Sequence, residues 1–159
     1  MSKQFAIFLA AGLGVVVVFS STKSAHLDLT GQILKTRVLS VSNGAASIVV
    51  VDFRVTNPSN VPFVLLAAQL ELDTDTGEKI DGSQISKPDM ENVFAHEKLL
   101  GPKYNDILSI RDTVPPHATV DRMSGARFEV PEAKIDSRKA MRLRFDELDG
   151  GLFEIGEKK

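Results

Sequence analysis

A chain of 159 residues, 43% hydrophobic and 25% charged, has ordinary globular composition and a length that fits one domain. Its formal charge of −2 gives no general electrostatic pull toward nucleic acid or an anionic membrane. The absence of cysteine removes disulfides, thiolate chemistry, Cys-ligated zinc and a lipid-modified cysteine.

The first element in chain order is apolar. After Lys3, residues Gln4 to Thr22 carry no charge, and FAIFLAAGLGVVVVFS is a continuous apolar run of 16 residues. As a helix this is about 24 Å long, short of a bilayer core of about 30 Å. A single Lys ahead of such a run is also the form of a signal peptide, although Val18-Phe19-Ser20 and Thr22-Lys23-Ser24 match an Ala-x-Ala cleavage site poorly. Three readings stay open: an uncleaved anchor, a cleaved signal and a buried core helix. The first two export everything that follows. The expected organisation is a hydrophobic signal-anchor or signal peptide over residues 1–25 and a folded domain over 26–159. That domain is membrane-anchored or secreted on the extracytoplasmic side, with membrane contact through residues 4–22. The remaining chain, roughly 130 residues, can bury about two thirds of its unfolded surface in one core.

Beyond His26 the hydrophobic pattern has mostly period two. In ASIVVVDFRVTN, Val49, Val51, Phe53 and Val55 point one way and Asp52, Arg54 and Thr56 the other, as in a strand with one buried face. In PFVLLAAQLELDT, Val64, Leu66, Ala68, Leu70 and Leu72 are expected inward, with Gln69, Glu71 and Asp73 outward. The two runs are expected to pair antiparallel. Weaker strands are LTGQILKTRVLSV before them, EKIDGS after them, then ATVDRMSGARFEV and MRLRFDELDGGLFEI, whose Asp149-Gly150-Gly151 has hairpin-turn chemistry. SKPDMENVFAHEKLL, with Pro88 near its start and Met90, Val93, Phe94 and Leu100 along one side, predicts a short amphipathic helix or structured loop. PEAKIDSRKA suits one helical turn. Short strands punctuated by turn signals predict an all-β antiparallel sandwich or small barrel.

Between the two strongest strands stands VDFRVTNPSNVPF. Proline cannot donate to a sheet ladder, so Pro58 ends the first strand and Pro62 sets the entry to the second. The amides of Asn57 and Asn60 can bond nearby backbone where the chain turns between layers. Followed by TVPPHATVDRM at residues 113–123, this order of strand, Asn-Pro corner, apolar strand and later Val-Pro-Pro resembles the group-2 late-embryogenesis-abundant family of water-stress and hypersensitive-response domains. The resemblance spans residues 30–145. It implies an immunoglobulin-like or fibronectin-like sandwich with a non-enzymatic role and no catalytic residues to carry over. The helical stretch near 87–100 and the C-terminal hairpin depart from that family's pattern.

Chemical signatures are few. His26, His96 and His117 are far apart in sequence and in no metal-ligand spacing, and no GxSxG, P-loop or GxGxxG occurs. In DTDTGEKIDG the acids Asp73, Asp75, Glu78 and Asp81 crowd a turn, but Gly77 stands where a calcium loop needs an oxygen ligand. The expectation is an acidic hairpin without a metal site. Arg138, Lys139, Arg142 and Arg144 are interleaved with Asp136, Asp146 and Glu147, which reads as a solvated strand face rather than a phosphate track. Asn57-Pro58-Ser59 has proline in the position that forbids glycosylation. With no Trp and one Tyr, the platform for stacking sugars or single-stranded nucleic acid is missing. No catalytic, cofactor-binding or metal residue is assigned. The expected function is non-enzymatic: a binding or accessory module with a protein partner and no nucleic acid. The alternative is a carrier that holds a small apolar ligand between its sheets.

Overall fold

The computed structural model describes residues 29–158; the apolar run at 4–22 and His26 lie outside the described residues. In chain order the elements are β1 (Thr30–Val41), β2 (Ala46–Thr56), β3 (Phe63–Asp73), β4 (Lys79–Asp81), β5 (Ser83–Gln84), α1 (Lys87–His96), β6 (Thr113–Val114), β7 (Thr119–Phe128), α2 (Glu132–Asp136), β8 (Ala140–Glu147) and β9 (Leu152–Lys158). They form two sheets. The first has the order β1-β2-β7-β5, and the second β4-β3-β8-β9 with β6 added beside β3. All strand pairings between these elements are antiparallel. The result is an all-β sandwich.

The inward side chains of both sheets make one core. Val49, Val51, Phe53 and Val55 of β2 meet Leu70 and Leu72 of β3 and Leu143 and Phe145 of β8. Phe145 lies 5.3 Å from Phe53 and 5.7 Å from Phe153 between ring centroids, spacings at which aromatic pairs attract beyond their area burial. The two bulky strands read from the sequence are therefore both central, but they are not partners. β2 pairs with β1 and β7, whereas β3 pairs with β8 in the opposite sheet. The Asn-Pro corner between them carries the chain from one layer to the other.

A second departure follows from a bulge. The β3–β8 register slips between Leu65 and Ala67, and an extra residue in one strand flips the side chains beyond it to the other face. Phe63 and Leu65 are consequently buried on one side of the slip, and Leu70 and Leu72 on the other, while Leu66, expected inward, is 46% exposed. β1 has a similar slip between Ile33 and Lys35. It turns Ile33 into the core and Arg37 and Leu39 onto the outer side, where Leu39 packs with Val50.

The third departure concerns EKIDGS, which is two strands in two sheets. Asp81 ends β4 beside β3, and Ser83 begins β5 beside β7. Gly82 makes the crossing, because a Cβ there would lie 2.7 Å from both the Ala126 Cβ and the Phe128 Cζ.

The helical stretch is confirmed as α1. Ser86 caps it, accepting from the Asp89 backbone N–H, and a Pro stands in its first turn, where its missing N–H is no loss. PEAKIDSRKA forms the single-turn α2, with Ile135 buried. The C-terminal hairpin turns through 148–151, as its Asp-Gly-Gly suggests.

α1 and the segment after it form a layer over the outer face of the first sheet. Met90, Leu100 and Ile107 pack there on Leu39, Val50 and Met123. Gly125 permits this contact, since a Cβ would collide with the Met90 thioether. This layer corrects the expectation for Asp52, which points away from the main core as the alternation requires but is only 2% exposed.

Candidate functional site

Three places gather polar or exposed apolar groups. The first lies beneath the covering layer. Arg37 Nη2 donates to Asp52 Oδ2 at 2.8 Å, and Nη1 donates to the carbonyls of Leu100 and Pro102, both at 2.8 Å. Asn105 donates its amide to the other Asp52 oxygen at 2.9 Å. The guanidinium centre lies 5.1 Å from the ring centroids of both Phe94 and Tyr104, within the range of cation–π attraction. The Arg37–Asp52 bond lies within the sheet, and the other contacts join that pair to the α1 layer, so the pair is a clamp for the segment 94–105. Both ions are almost sealed from water.

The second place is the open face of the second sheet. Arg142 donates to Glu71 and to Asp73, each at 2.7 Å, and its Nε lies 3.7 Å from Glu154. Asp73 is thereby drawn away from the acidic turn. Glu78 pairs with Lys134 at 3.2 Å, Asp75 and Asp81 are exposed, and among the described residues no three acids or histidines are placed to hold a metal. The basic series is not one solvated face. Arg142 lies in this network, but Arg138 is buried, bonding the Ile135 carbonyl and Glu157, both at 2.9 Å. Burial behind α2 is the reason, and alternation alone does not signal it.

The third place is the end of the sandwich where β1, β3, β7 and β9 begin and β2 and β8 end. Here Asn57 holds the corner. Its amide donates to the carbonyls of Val61 at 2.8 Å and Val114 at 3.0 Å, while its oxygen accepts from the Ser59 N–H at 3.0 Å and hydroxyl at 2.7 Å. Asn57 thus performs the local backbone bonding expected of it, whereas Asn60 Oδ1 meets a side chain distant in sequence, His117 Nε2, at 2.7 Å. The loop at 108–112 is tied to β3 by the Arg111 N–H on the Leu65 carbonyl and the Leu65 N–H on the Asp112 carbonyl. Leu148 N–H bonds the Val64 carbonyl on the other side of β3. These fixed loops display Val61, Ile110 and Leu148 to solvent around the start of β3, with Leu66 beside them; Ile110 is 70% exposed. Arg111 and His117 have φ of 70° and 56°, a left-handed conformation that is unusual for Arg.

Between the sheets at this end is a cleft of about 20 Å³, lined by Leu29, Phe53, Phe63, Val114, Val120 and Arg122 among others. Near it, on the outer side, Arg54 makes a two-pronged pair with Asp121 at 2.7 and 2.8 Å. Hydrogen bonding from Arg54 holds the Asp121 carboxyl below its usual range, opposed by partial desolvation. His96 is at the surface, with Nδ1 2.8 Å from the Asn92 carbonyl. His26 lies outside the described residues, and His96, at the end of α1, and His117, in the loop before β7, have separate partners. The clamp and the displayed apolar rim had no counterpart in the sequence reading. The rim's one sequence signal is an isolated large aliphatic residue inside a turn-rich stretch, as at Ile110 and Leu148.

No protein-family model matches the chain, and no curated protein matches it. Among solved structures it is similar to the crystal structure of an ApaA protein from Bordetella pertussis, at 14% identity over 83% of this chain and 89% of that one, with a TM-score of 0.39. It is also similar to the X-ray structure of the structural-genomics target SoR45, at 10% identity over 86% and 85% of the two chains, with a TM-score of 0.41. Among the described residues no helix is long and apolar enough to cross a membrane.

Proposed function

We propose that this chain is a non-enzymatic β-sandwich, membrane-anchored or exported through its N-terminal apolar run, that acts extracytoplasmically by binding a protein partner or as an accessory module. The observation that carries this reading is how little room the cleft between the sheets offers among the described residues. A cleft of about 20 Å³ has room for a water molecule, whereas pockets for small ligands usually span about 300–1,000 Å³. That small volume weighs against the carrier reading. The most deeply buried ion pair, Arg37 with Asp52, is committed to holding a structural layer, which favours a scaffold over a catalyst.

We further propose that the sandwich is immunoglobulin-like and of the water-stress type. Read as strands A, B, C, C′, D, E, F and G, the strands β1, β2, β3, β4, β5, β7, β8 and β9 give sheets A-B-E-D and C′-C-F-G, the arrangement of that sandwich class. On this reading α1 is an insertion between D and E, which accounts for the departure near residues 87–100.

Two measurements test the functional proposal. Protease added to the extracytoplasmic side of intact cells is expected to digest the domain; a chain found wholly in the cytoplasmic fraction overturns the localisation. Native mass spectrometry of the purified protein is expected to give the polypeptide mass alone; a stoichiometric apolar ligand would restore the carrier.

A further inference from the structure

We propose that the end of the sandwich displaying Val61, Ile110 and Leu148 faces the lipid surface from which the apolar run at 4–22 tethers the domain. This rests on the anchored reading and adds the surface that meets the membrane. The first argument is where the chain enters. Leu29 is buried in the cleft at this end, and Thr30 pairs with Thr56, next to the Asn57 corner. Only Lys23 to Asp28 lie between the uncharged run and Leu29. At no more than about 3.6 Å per residue, such a tether cannot exceed roughly 25 Å. The end that holds Leu29 is therefore kept close to the bilayer boundary, whatever path those residues take.

The second argument is the chemistry of the two ends. Around the start of β3 the aliphatic Val61, Ile110 and Leu148 are exposed beside the polar Asn60, Thr113 and His117, with Arg111 exposed next to Ile110. An aliphatic group flanked by a long basic side chain suits the interface, where the apolar part enters the acyl boundary and the guanidinium meets phosphates. Asp149, exposed in the turn beside Leu148, limits this to headgroup depth. The opposite end exposes Asp75, Glu78 and Glu129 on turns and Glu132 at the start of α2; Glu78 and Glu129 are paired with Lys134 and Arg127, which leaves Asp75 and Glu132 as the carboxylates an anionic surface repels most. The loops of the near end are pinned by the Asn57, Arg111 and Leu148 bonds described above, so the aliphatic groups stay displayed rather than folding back.

The chain contains no Trp, so single-Trp variants of the full-length protein report one position each. Ile110→Trp, Leu148→Trp and, at the far end, Glu132→Trp are reconstituted into vesicles of phosphatidylcholine and phosphatidylglycerol with or without brominated acyl chains. Emission from positions 110 and 148 is expected to fall by about half in brominated vesicles, as for groups within about 5–10 Å of the acyl boundary, and emission from position 132 to be unchanged. If the protein floats with the vesicles but all three positions respond alike, the domain stands off the membrane and the inference fails alone. If position 110 is unquenched and cross-links between copies, a second chain covers this end and the inference also fails. A chain that does not float removes the anchored reading, and this inference with it.

Discussion

The outer faces of the two sheets contrast in a way their strands do not announce. Both are built from ladders with charged residues alternating against the core, yet on the first sheet Arg37 and Asp52 lie under α1 and the segment 94–105, while on the second no layer covers Arg142, Glu71 and Asp73, whose side chains stay 23%, 21% and 18% exposed. The difference teaches that period two assigns a side chain to a face and leaves open what covers that face. It also bears on recognition. The first face is occupied by the protein's own layer, so on the proposed function a partner has the second face or the end away from Leu29 available.

The contrast is broken most directly by removing one member of the covered pair. Arg37→Ala leaves Asp52 buried without its partner and is expected to cost about 3–5 kcal/mol in urea denaturation, comparable to Phe53→Ala in the main core at about 3–5 kcal/mol. Replacing both ions together, as Arg37→Met with Asp52→Leu, should recover most of the loss.

Adjacent leucines sharpen the comparison at the bulge. Leu65→Ala is expected to cost about 2–5 kcal/mol, and Leu66→Ala to fall within about 0.5 kcal/mol of the parent. Equal costs would mean that the register does not slip.

Gly125→Ala tests how closely α1 approaches the covered face. The added methyl meets Met90, and overpacking is expected to cost about 1–3 kcal/mol. Much of that should be relieved when Met90→Ala is made in the same chain.

The smallest effect is at the exposed Arg54–Asp121 pair. Its carboxyl has a depressed value in the folded state, so its contribution is complete above the ordinary Asp range and is lost as pH falls through the folded value. Any difference in denaturation midpoint between the parent and Asp121→Asn should thus be present at neutral pH and shrink as the pH drops below about 4. Arg54→Ala should be nearly silent, as its outward position predicts.

The architecture was legible in the sequence where one parity was apolar and the other charged. Val49, Val51, Phe53 and Val55 read correctly, as did the Asp-Gly-Gly hairpin and the Pro-marked helix start. Reading failed where both parities were apolar: FVLLAAQ offers no cue for a slip at Leu66, because Leu65 and Leu66 are equally able to fill a core. It failed again where a single glycine crosses between layers, since Gly82 looks like an ordinary strand end. Pairing of β2 with β3 was inferred from adjacency, but a corner with two prolines and two bonding asparagines suits a change of layer better than a hairpin. The clamp was illegible because its parts, at 37, 52, 94, 100 and 105, are far apart in the sequence and meet only through the tertiary fold.

The central claim is that the outer face of β2 is interior and that of β3 is surface, and paired double-mutant cycles test it most directly. Alanine cycles on Arg37 with Asp52 and on Arg142 with Glu71, read by denaturant titration, should give a coupling of about 2–3 kcal/mol for the first pair and below about 1 kcal/mol for the second. Equal couplings would contradict the account, because they would place the two ion pairs in the same solvent environment.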